Sequence, residues 1–236
     1  MLSIRGLQST EIDYGLKLLT YCLNHLQSSN VELLQVQDLF VLFHVSNKVE
    51  GYFVEFGAMD GITVSNTFLL ESQYSWSGIV AEPARRWRCS LKQNRNCSVD
   101  FRCVWRKSGE LLEFNETVDP GFSTLKSLSY SDYHARIRKK GNIYDVETVS
   151  LTDLLQHYNA PKIIDYLSID TEGSELEILN SFAFDDYVIR VITVEHNYSD
   201  KRLQIYELLT SKGYKRVFDL FSMYDDWYVR TPEAHF

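Results

Sequence analysis

Acidic side chains recur at the ends of apolar runs in this sequence. Six of them could do chemistry: Glu55, Asp60, Glu82, Asp170, Glu172 and Glu195. Like charges that crowd onto one edge of a sheet repel one another, so stability alone gives no reason for such a pattern. A ligand with hydroxyl groups, a positive charge or both would suit an edge of this kind. We therefore expect these carboxylates to bind a ligand or to act on one.

The apolar runs that carry these acids predict the strands of a sheet. They are YFVEFGA (52–58), SGIVAEP (77–83), VDFRCVW (99–105), IIDYLSID (163–170) and VIRVITVEHN (188–197), followed by a terminal strand pair at 214–221 and 225–231. Helical stretches alternate with them, at 65–74 with Ser65 as N-cap, and at 84–95, 174–183 and 200–212. This alternation predicts an α/β fold with a mostly parallel sheet. Ligands of such sheets bind at the carboxyl ends of the strands, where the acids lie.

Two regions stand outside this alternation. Residues 1–50 predict a helical cap, in which 9–27 and 31–45 are helices. Five apolar residues of the first helix fall at helical spacing: Ile12, Leu16, Leu19, Leu23 and Leu26. Residues 51–236 form the predicted main domain, and its segment 106–160 is interpreted as an insertion that covers one face of the sheet.

The overall charge limits the partners of the chain. Among 236 residues, 32 Asp and Glu outnumber 24 Lys and Arg, which gives a net charge of −8. Nucleic-acid binding needs a basic surface, so we predict no nucleic-acid partner. The basic run at 136–140, which includes Arg138, is interpreted as a solvated loop or helix end. Glu175 and Glu177 are interpreted as a solvated helix face.

The cysteines and the apolar runs indicate the compartment. Neither CxxC spacing nor zinc-binding spacing with histidines occurs, so four reduced thiols are predicted: Cys22, Cys89, Cys97 and Cys103. No signal peptide is visible, and no apolar run approaches the ~18 residues that a membrane span needs. The sequence therefore predicts a cytoplasmic protein without a transmembrane segment.

The glycine loop after the first strand narrows the kind of ligand. EFGAMDG lacks the repeated glycines of GxGxxG, which bring the backbone up to a pyrophosphate, so an NAD or nucleotide-sugar enzyme is disfavoured. Glu82 follows Gly57 by 25 residues and ends the next strand, where an acid would accept hydrogen bonds from ribose hydroxyls. A ligand with a ribose but no phosphate fits S-adenosylmethionine (SAM).

Five segments in a fixed order carry a family resemblance. VEFGAMDG, SNTFLLE, GIVAEPA, YLSIDTEGSELEIL and VEHN, between Gly51 and Arg230, together resemble the FkbM family of SAM-dependent methyltransferases. The resemblance implies a class I methyltransferase fold. This is a Rossmann-like, three-layer α/β sandwich around a mostly parallel seven-stranded sheet, here with an N-terminal helical cap. It also implies O-methylation of a hydroxyl, often on a sugar or a polyketide-like product. The family's helix after the third strand is expected to be replaced here by the segment 106–160.

The resemblance, carried over by position, assigns SAM binding to eleven residues: Glu55, Phe56, Gly57, Ala58, Asp60, Gly61, Asn66, Thr67, Glu82, Pro83 and Asp170. It implies carboxylates that face the ammonium and sulfonium of SAM, N–H groups at a helix start that suit its carboxylate, and an acid on the ribose. Plainer interpretations stay open. Glu55 could be a salt-bridged strand residue, the glycines could serve only a tight turn, and Glu82 could be a surface acid.

Four residues are candidates for catalysis: Asp170, Glu172, Glu195 and His196. An aliphatic hydroxyl is a weak nucleophile, so it needs a base that accepts its proton or a cation that lowers its pKa. His196 could be the base near neutral pH. Alternatively, Asp170, Glu195 and Asn197 could hold Mg²⁺ through oxygen ligands. A structural hydrogen bond for His196 and a helix-capping role for Glu172 stay open as well.

The acceptor and the partners are predicted from the insertion. Its hydroxyls and aromatic rings suit a sugar, and a polar lid without contacts to the acceptor is the alternative; these residues are Ser123, Thr124, Tyr130, Tyr133, His134 and Arg136. The sequence thus predicts an O-methyltransferase for a carbohydrate or glycosylated small-molecule acceptor, with a homodimer as one assembly. The second hypothesis is a non-catalytic FkbM-like domain that binds partners or membranes.

Overall fold

The computed structural model describes residues 9–28, 36–130, 133–219 and 222–231. The α-helices in these ranges are α1 (Ser9–Ser28), α2 (Gln37–His44), α3 (Phe68–Tyr74), α4 (Arg88–Asn94), α5 (Leu151–His157), α6 (Glu175–Ser181) and α7 (Lys201–Ser211). The strands are β1 (Tyr52–Phe56), β2 (Ser77–Ala81), β3 (Ser98–Asp100), β4 (Cys103–Trp105), β5 (Leu111–Thr117), β6 (Thr124–Leu125), β7 (Gly141–Ser150), β8 (Ile163–Ile169), β9 (Val188–Glu195), β10 (Tyr214–Val217) and β11 (Asp225–Arg230).

The central sheet has seven strands in the order β10-β11-β9-β8-β1-β2-β3. Its strands are parallel except β11, which runs antiparallel to both β9 and β10. The predicted α/β fold with a mostly parallel seven-stranded sheet is therefore confirmed. A second sheet of four strands, β4-β7-β5-β6, accompanies it and was not predicted.

Helices cover both faces of the central sheet. Successive side chains of a strand point to opposite faces, so neighbours in β1 enter different cores. Val54 shares a core with α5, α6 and α7, through Leu154, Ile178 and Leu209. Phe53 shares the other core with α2, α3 and α4, through Leu42, Leu70 and Leu91. The sheet and these two helical layers form the expected three-layer sandwich.

The predicted strand VDFRCVW is wrong, because it is two strands in two sheets. β3 ends at Asp100, and β4 begins at Cys103 in the second sheet. The Asp100 carboxylate accepts hydrogen bonds from the backbone N–H of Arg102 at 2.7 Å and from its Nε at 3.0 Å. This local turn carries the chain away from the edge of the central sheet.

The packing of the helical cap differs from what the spacing of its apolar residues predicts. Helix α1 forms as predicted, but four of its periodic residues are exposed: Ile12, Leu16, Leu19 and Leu23. Its opposite face is the packed one, where Leu18 and Cys22 are buried and the ring of Tyr14 stacks on Phe218. The side chain of Leu26 and residues 31–35 of the second predicted helix lie outside the described residues.

The segment 106–160 contains more regular structure than expected. β5 pairs with β7 antiparallel, from Leu111 opposite Glu147 to Thr117 opposite Gly141. Helix α5 follows within this segment, so the prediction that the helix is replaced there is wrong. Its start is marked by Ser150, whose hydroxyl accepts a hydrogen bond from the N–H of Asp153. None of the described helices is long and apolar enough to cross a membrane.

Candidate active site

The strand ends bring the predicted acids to one edge of the central sheet. Phe56 lies opposite Ile169, and Ile169 lies opposite Val194. The residues that follow on β8 and β9, Asp170 and Glu195, therefore emerge side by side. Glu195 is in turn opposite Asp225 on β11. The edge of the sheet thus gathers carboxylates from β8, β9 and β11, as their positions at strand ends predict.

Asp170, Glu172 and Glu195 form a group of three carboxylates. Each offers an oxygen, and these oxygens all lie within 4.8 Å of one another. Burial, reinforced by the charge of Glu175, raises the pKa of Asp170 to about 7. Burial, followed by the charges of Asp170 and Glu172, raises the pKa of Glu195 well above its ordinary value. Such a group can accept a proton near neutral pH or hold a hard cation through its oxygens.

Asn197 lies next to this group and donates a hydrogen bond to one of its three carboxylates. Its Nδ2 donates to Glu172 Oε2 at 3.3 Å. The predicted metal set named Asp170, Glu195 and Asn197, whereas the structure brings Glu172 together with the two acids. Both residues stand in strained loops with left-handed backbone, at φ 58° for Glu172 and 44° for Asn197. Sequence spacing could not reveal that the loops after β8 and β9 fold toward each other.

Gly57 is required by a close approach of two backbones. Its φ is +78°, and a Cβ at this position would lie 2.0 Å from the carbonyl oxygen of Asp170. A side chain there would collide with the loop that presents the acids. The glycine therefore allows the end of β1 to pass directly beside the end of β8.

Glu55 and Asp60 both accept hydrogen bonds from the loop that follows β1. Glu55 is buried and accepts hydrogen bonds from the N–H of Asn66 at 2.8 Å and the hydroxyl of Ser65 at 2.9 Å. Asp60 accepts from the N–H groups of Ile62 at 2.9 Å and Thr63 at 2.7 Å. Loop amides need acceptors, and these carboxylates supply them.

Arg95 completes the anchoring of this loop and was missed by the sequence analysis. Its side chain is fully buried, and Nη1 lies 3.4 Å from Glu55 Oε2. Nη1 also donates to the carbonyl oxygen of Gly61 at 3.2 Å, and Nη2 donates to the hydroxyl of Thr67 at 2.9 Å. The open interpretation of Glu55 as a salt-bridged strand residue matches these contacts.

Asn66 and Thr67 occupy the start of α3. Thr67 is the N-cap, so the prediction of Ser65 as N-cap is wrong, although the Ser65 hydroxyl accepts from the N–H of Phe68 at 3.1 Å. Asn66 donates from Nδ2 to the hydroxyl of Ser168 at 2.9 Å. Its Oδ1 is buried and has no hydrogen-bond partner among the described residues. A buried acceptor of this kind needs a donor from a ligand or water.

Glu82 lies in a pocket between the edge of the sheet and the insertion. The pocket is lined on the sheet side by Phe56, Gly57, Glu82, Pro83 and Asp170. The insertion side contributes Phe114, Ser123 and Leu125. Glu82 is only 5% exposed, which rules out a surface acid, and it accepts from the N–H groups of Met59 at 3.0 Å and Ala84 at 2.8 Å. Burial raises its pKa to about 7.

Arg138 of the insertion forms an ion pair with Glu172. Its Nη2 lies 2.5 Å from Glu172 Oε2, and the side chain of Arg138 is fully buried. The interpretation of this arginine as solvated is therefore wrong. The Thr124 hydroxyl also donates to the carbonyl oxygen of Glu172 at 2.8 Å. Only the folded insertion brings these residues together, so the sequence carries no local signal for the pair.

Glu175 supports the loop from its other end. It is 3% exposed, which corrects the interpretation of a solvated helix face. Its Oε1 accepts from the N–H groups of Thr171 at 3.1 Å and Gly173 at 2.9 Å. Glu175, rather than Glu172, therefore binds the backbone at the start of α6. Glu177 pairs with Lys201 at 2.9 Å.

His196 has one ring nitrogen in a hydrogen bond, whereas its buried Nε2 has no hydrogen-bond partner among the described residues. Nδ1 accepts from the N–H of Tyr198 at 3.0 Å, which leaves the proton of the neutral ring on Nε2. Nε2 lies 3.7 Å from Asp226 Oδ1. Burial lowers the pKa of His196 to about 4, so it is a weak base at neutral pH. The hydrogen bond of Nδ1 supports a structural role for His196, and His196 as the base stays a prediction.

The strand order, with β11 alone antiparallel, and the glycine loop at the end of β1 define a class I methyltransferase fold. The family described as Methyltransferase FkbM domain matches residues 55–216, more than half of the 236 residues. The chain belongs to this methyltransferase family, as its sequence motifs indicated.

Two of the solved structures that are similar to this chain are described as methyltransferases. One is precorrin-6y C5,15-methyltransferase from Geobacter metallireducens GS-15, at 10% identity and a TM-score of 0.45, over 85% of this chain and 90% of that chain. Another is methyltransferase FkbM from Methylobacillus flagellatus KT, at 13% identity and a TM-score of 0.45, over 77% of this chain and 43% of that one. The family assignment rests on the sequence match and not on these distant likenesses. No curated protein matches the chain.

Proposed function

We propose that this chain is a SAM-dependent O-methyltransferase that acts on a hydroxyl of a carbohydrate or glycosylated acceptor. The observation that supports it most is the carboxylate group of Asp170, Glu172 and Glu195 beside the glycine loop. A methyl donor needs no activation by the enzyme, whereas a hydroxyl acceptor has to lose a proton. A buried group of carboxylates at this edge suits that task.

The residues around the glycine loop fit SAM. Glu82 is a buried acceptor in the pocket, in reach of a ribose that would lie against Pro83. The unpartnered Oδ1 of Asn66 can accept a hydrogen bond from an ammonium group. Gly57 keeps the backbone open beside Asp170. When bound, SAM supplies the activated methyl group, and these residues bind and orient it.

Phe56, Ala58, Gly61 and Thr67 stay in the proposed cofactor set with supporting roles. Phe56 lines the pocket, and Ala58 is buried within the glycine loop. Gly61 has a φ of +85° and lies against Arg95, while Thr67 bonds both Arg95 and Glu55. Their contacts fix the shape of the loop. Asp60 and Glu55 also fix the shape of the loop, through hydrogen bonds within it.

Two routes can remove the proton of the acceptor. In the first, Asp170, whose pKa is about 7, accepts it directly. In the second, Asp170, Glu172 and Glu195 would hold Mg²⁺, which would lower the pKa of the hydroxyl. Their oxygens, within 4.8 Å of one another, support the second route, and the raised pKa of Asp170 supports the first.

The experiment combines cofactor binding with product analysis. Isothermal calorimetry with SAM measures binding, and mass spectrometry detects a deuterated methyl group on neutral methyl glycosides. We expect micromolar binding, transfer to oxygen, and at least a tenfold loss of turnover in Asp170→Asn. Absence of SAM binding would favour the non-catalytic FkbM-like domain. Full turnover in EDTA would exclude the Mg²⁺ route and leave the direct base.

The second part of the proposal concerns the oligomeric state, which we propose to be a homodimer. Four apolar side chains of α1 are exposed, and they are Ile12, Leu16, Leu19 and Leu23. Sedimentation velocity at increasing protein concentration distinguishes a dimer from a monomer. A single monomeric species throughout would exclude the dimer without affecting the proposed reaction.

A further inference from the structure

A second cavity lies on the far side of the loop that follows β8. It encloses about 200 Å³ and is bounded by the loops after β8 and β9 and by the first turn of α7. The lining residues that matter here are Gly173, Glu195, Asn197, Ser199, Asp200 and Lys201. Glu195 Oε2 is buried and has no hydrogen-bond partner in the described ranges of the chain.

The two cavities meet at a pair of carboxylates. Asp170 lines the pocket that contains Glu82, and Glu195 lines the second cavity. Oxygens of these two acids lie within 4.8 Å of each other. A group bound in the second cavity would therefore lie beside the same pair of acids as a group bound in the pocket of Glu82. This is the arrangement that transfer between a donor and an acceptor requires.

We propose that the second cavity is the acceptor pocket, and that it admits a single neutral or positively charged ring bearing hydroxyls and excludes an anionic one. The proposal rests on the proposed function and names the substrate class of that site. The cavity, at about 200 Å³, has room for a single sugar-sized ring.

The lining suits hydroxyl groups. The side chains of Asn197 and Ser199 offer an amide and a hydroxyl. Hydroxyl groups of a ring both donate and accept, so they can satisfy such groups together. A site built from polar hydrogen-bonding groups discriminates strongly against ligands that leave those groups unpaired.

The charge of the lining decides which rings enter. Asp200 is acidic, and Lys201 is already engaged. Its ammonium donates to the carbonyl oxygen of Gly173 at 2.7 Å and to Glu177 at 2.9 Å. The cavity therefore presents negative charge, which repels a carboxylated or phosphorylated ring and attracts an amino sugar.

The test measures binding by saturation-transfer NMR with S-adenosylhomocysteine in place of SAM, so that no methyl group is transferred during the measurement. The probes are the methyl glycosides of glucose, glucosamine and glucuronic acid, which are neutral, positive and negative. We expect the neutral and positive probes to bind, and the negative probe to bind at least about tenfold more weakly. Equal or tighter binding of the glucuronide would overturn the proposal.

Asp200→Lys reverses one charge at the cavity. Asp200 is exposed and makes no side-chain cap on α7, so its replacement leaves the fold intact. We expect the discrimination against the glucuronide to fall by about tenfold. Asp185→Lys is the matched control, because Asp185 is exposed and precedes β9, at the opposite edge of the sheet. An equal change in both variants would mean that overall charge, and not the cavity, selects the ligand.

Ser199→Trp places a large ring in the cavity. We expect loss of glycoside binding with unchanged affinity for SAM. Failure of the wild-type protein to bind SAM would count against the proposed function. Retained SAM binding with no binding of the neutral and positive probes, or undiminished glycoside binding in Ser199→Trp, would count against the acceptor pocket alone.

Discussion

Arg138 ties the insertion to the loop of the acids through Glu172. The Nη2–Oε2 distance is 2.5 Å, and both side chains are buried. Thr124 adds a hydrogen bond to the carbonyl oxygen of the same glutamate. The insertion is therefore firmly attached to the candidate site, because it holds one of the three carboxylates in place.

Arg138→Gln should destabilise the protein by about 3–5 kcal/mol, because a buried carboxylate then loses its charged partner. Urea unfolding followed by circular dichroism measures the loss. The double variant Arg138→Met with Glu172→Met removes both charges and should be more stable than Arg138→Gln. The single variants Arg138→Met and Glu172→Met complete the comparison. If the loss of unfolding free energy in the double variant equals the sum of the losses in these two, the residues are not energetically coupled.

Gly57→Ala should lower the free energy of unfolding more than the same change at Gly109. Both glycines have a φ of +78°, so alanine meets the same backbone strain of about 1–2 kcal/mol at either position. Only at Gly57 does the new Cβ collide, at 2.0 Å from the carbonyl oxygen of Asp170. Thermal unfolding of the two variants isolates the contribution of the close approach, and equal shifts would refute it.

Asp60→Ala should weaken SAM binding by about tenfold, which corresponds to 1.4 kcal/mol. The reason is the loss of the hydrogen bonds to the N–H groups of Ile62 and Thr63 that shape the loop. Asp60→Asn keeps an acceptor oxygen and should bind nearly as the wild type does in calorimetry. If Asp60→Asn loses as much affinity for SAM as Asp60→Ala does, the negative charge of Asp60 is what binds SAM, as predicted from the sequence.

The stability of the protein should fall with pH below about 4, partly through Asp226. Burial alone would raise the pKa of Asp226, but hydrogen bonds from Arg202 and the charges of Arg216 and Arg202 lower it below its ordinary value. A carboxyl with a depressed folded pKa stabilises the fold above its unfolded pKa of about 3.9. That stabilisation is lost as pH falls through the folded pKa.

Asp226→Asn isolates this effect. At pH 7 we expect a loss of about 2 kcal/mol in urea unfolding, since charged hydrogen bonds from Arg202 at 2.7 Å and Arg216 at 3.2 Å are weakened. The difference between wild type and variant should shrink toward pH 3. A difference that stays constant down to that pH would show that the charge of Asp226 does not stabilise the fold.

The fold was predictable because the strands are short apolar runs between helices. The runs that contain Phe53 and Leu167 are buried on both faces, which gives a continuous apolar pattern typical of parallel strands. The positions of Asp170 and Glu195 followed from the strand ends alone. The turn at Asp100 was missed, although an aspartate two residues before Arg102 is a local signal for it.

The partners of the acids were not predictable from the sequence. Glu55 and Asp60 bind amides of their own loop, a choice that depends on how the loop folds back. The contact of Glu172 with Arg138 joins residues that are 34 positions apart, one in the loop after β8 and the other in the insertion. Residue type predicted that these carboxylates matter, whereas their roles depend on which donors the tertiary structure brings near.

The pairing of β1 with β8 has a consequence for synthesis of the chain on the ribosome. Phe53 is opposite Tyr166, which follows it by 113 residues (166 minus 53). At about 5–20 residues per second, roughly 6 to 23 s pass before the partner strand has been made. One edge of β1 remains open to other chains for that time. A nascent chain of this length is therefore expected to depend on chaperones that shield exposed strands until the acids of the site can assemble.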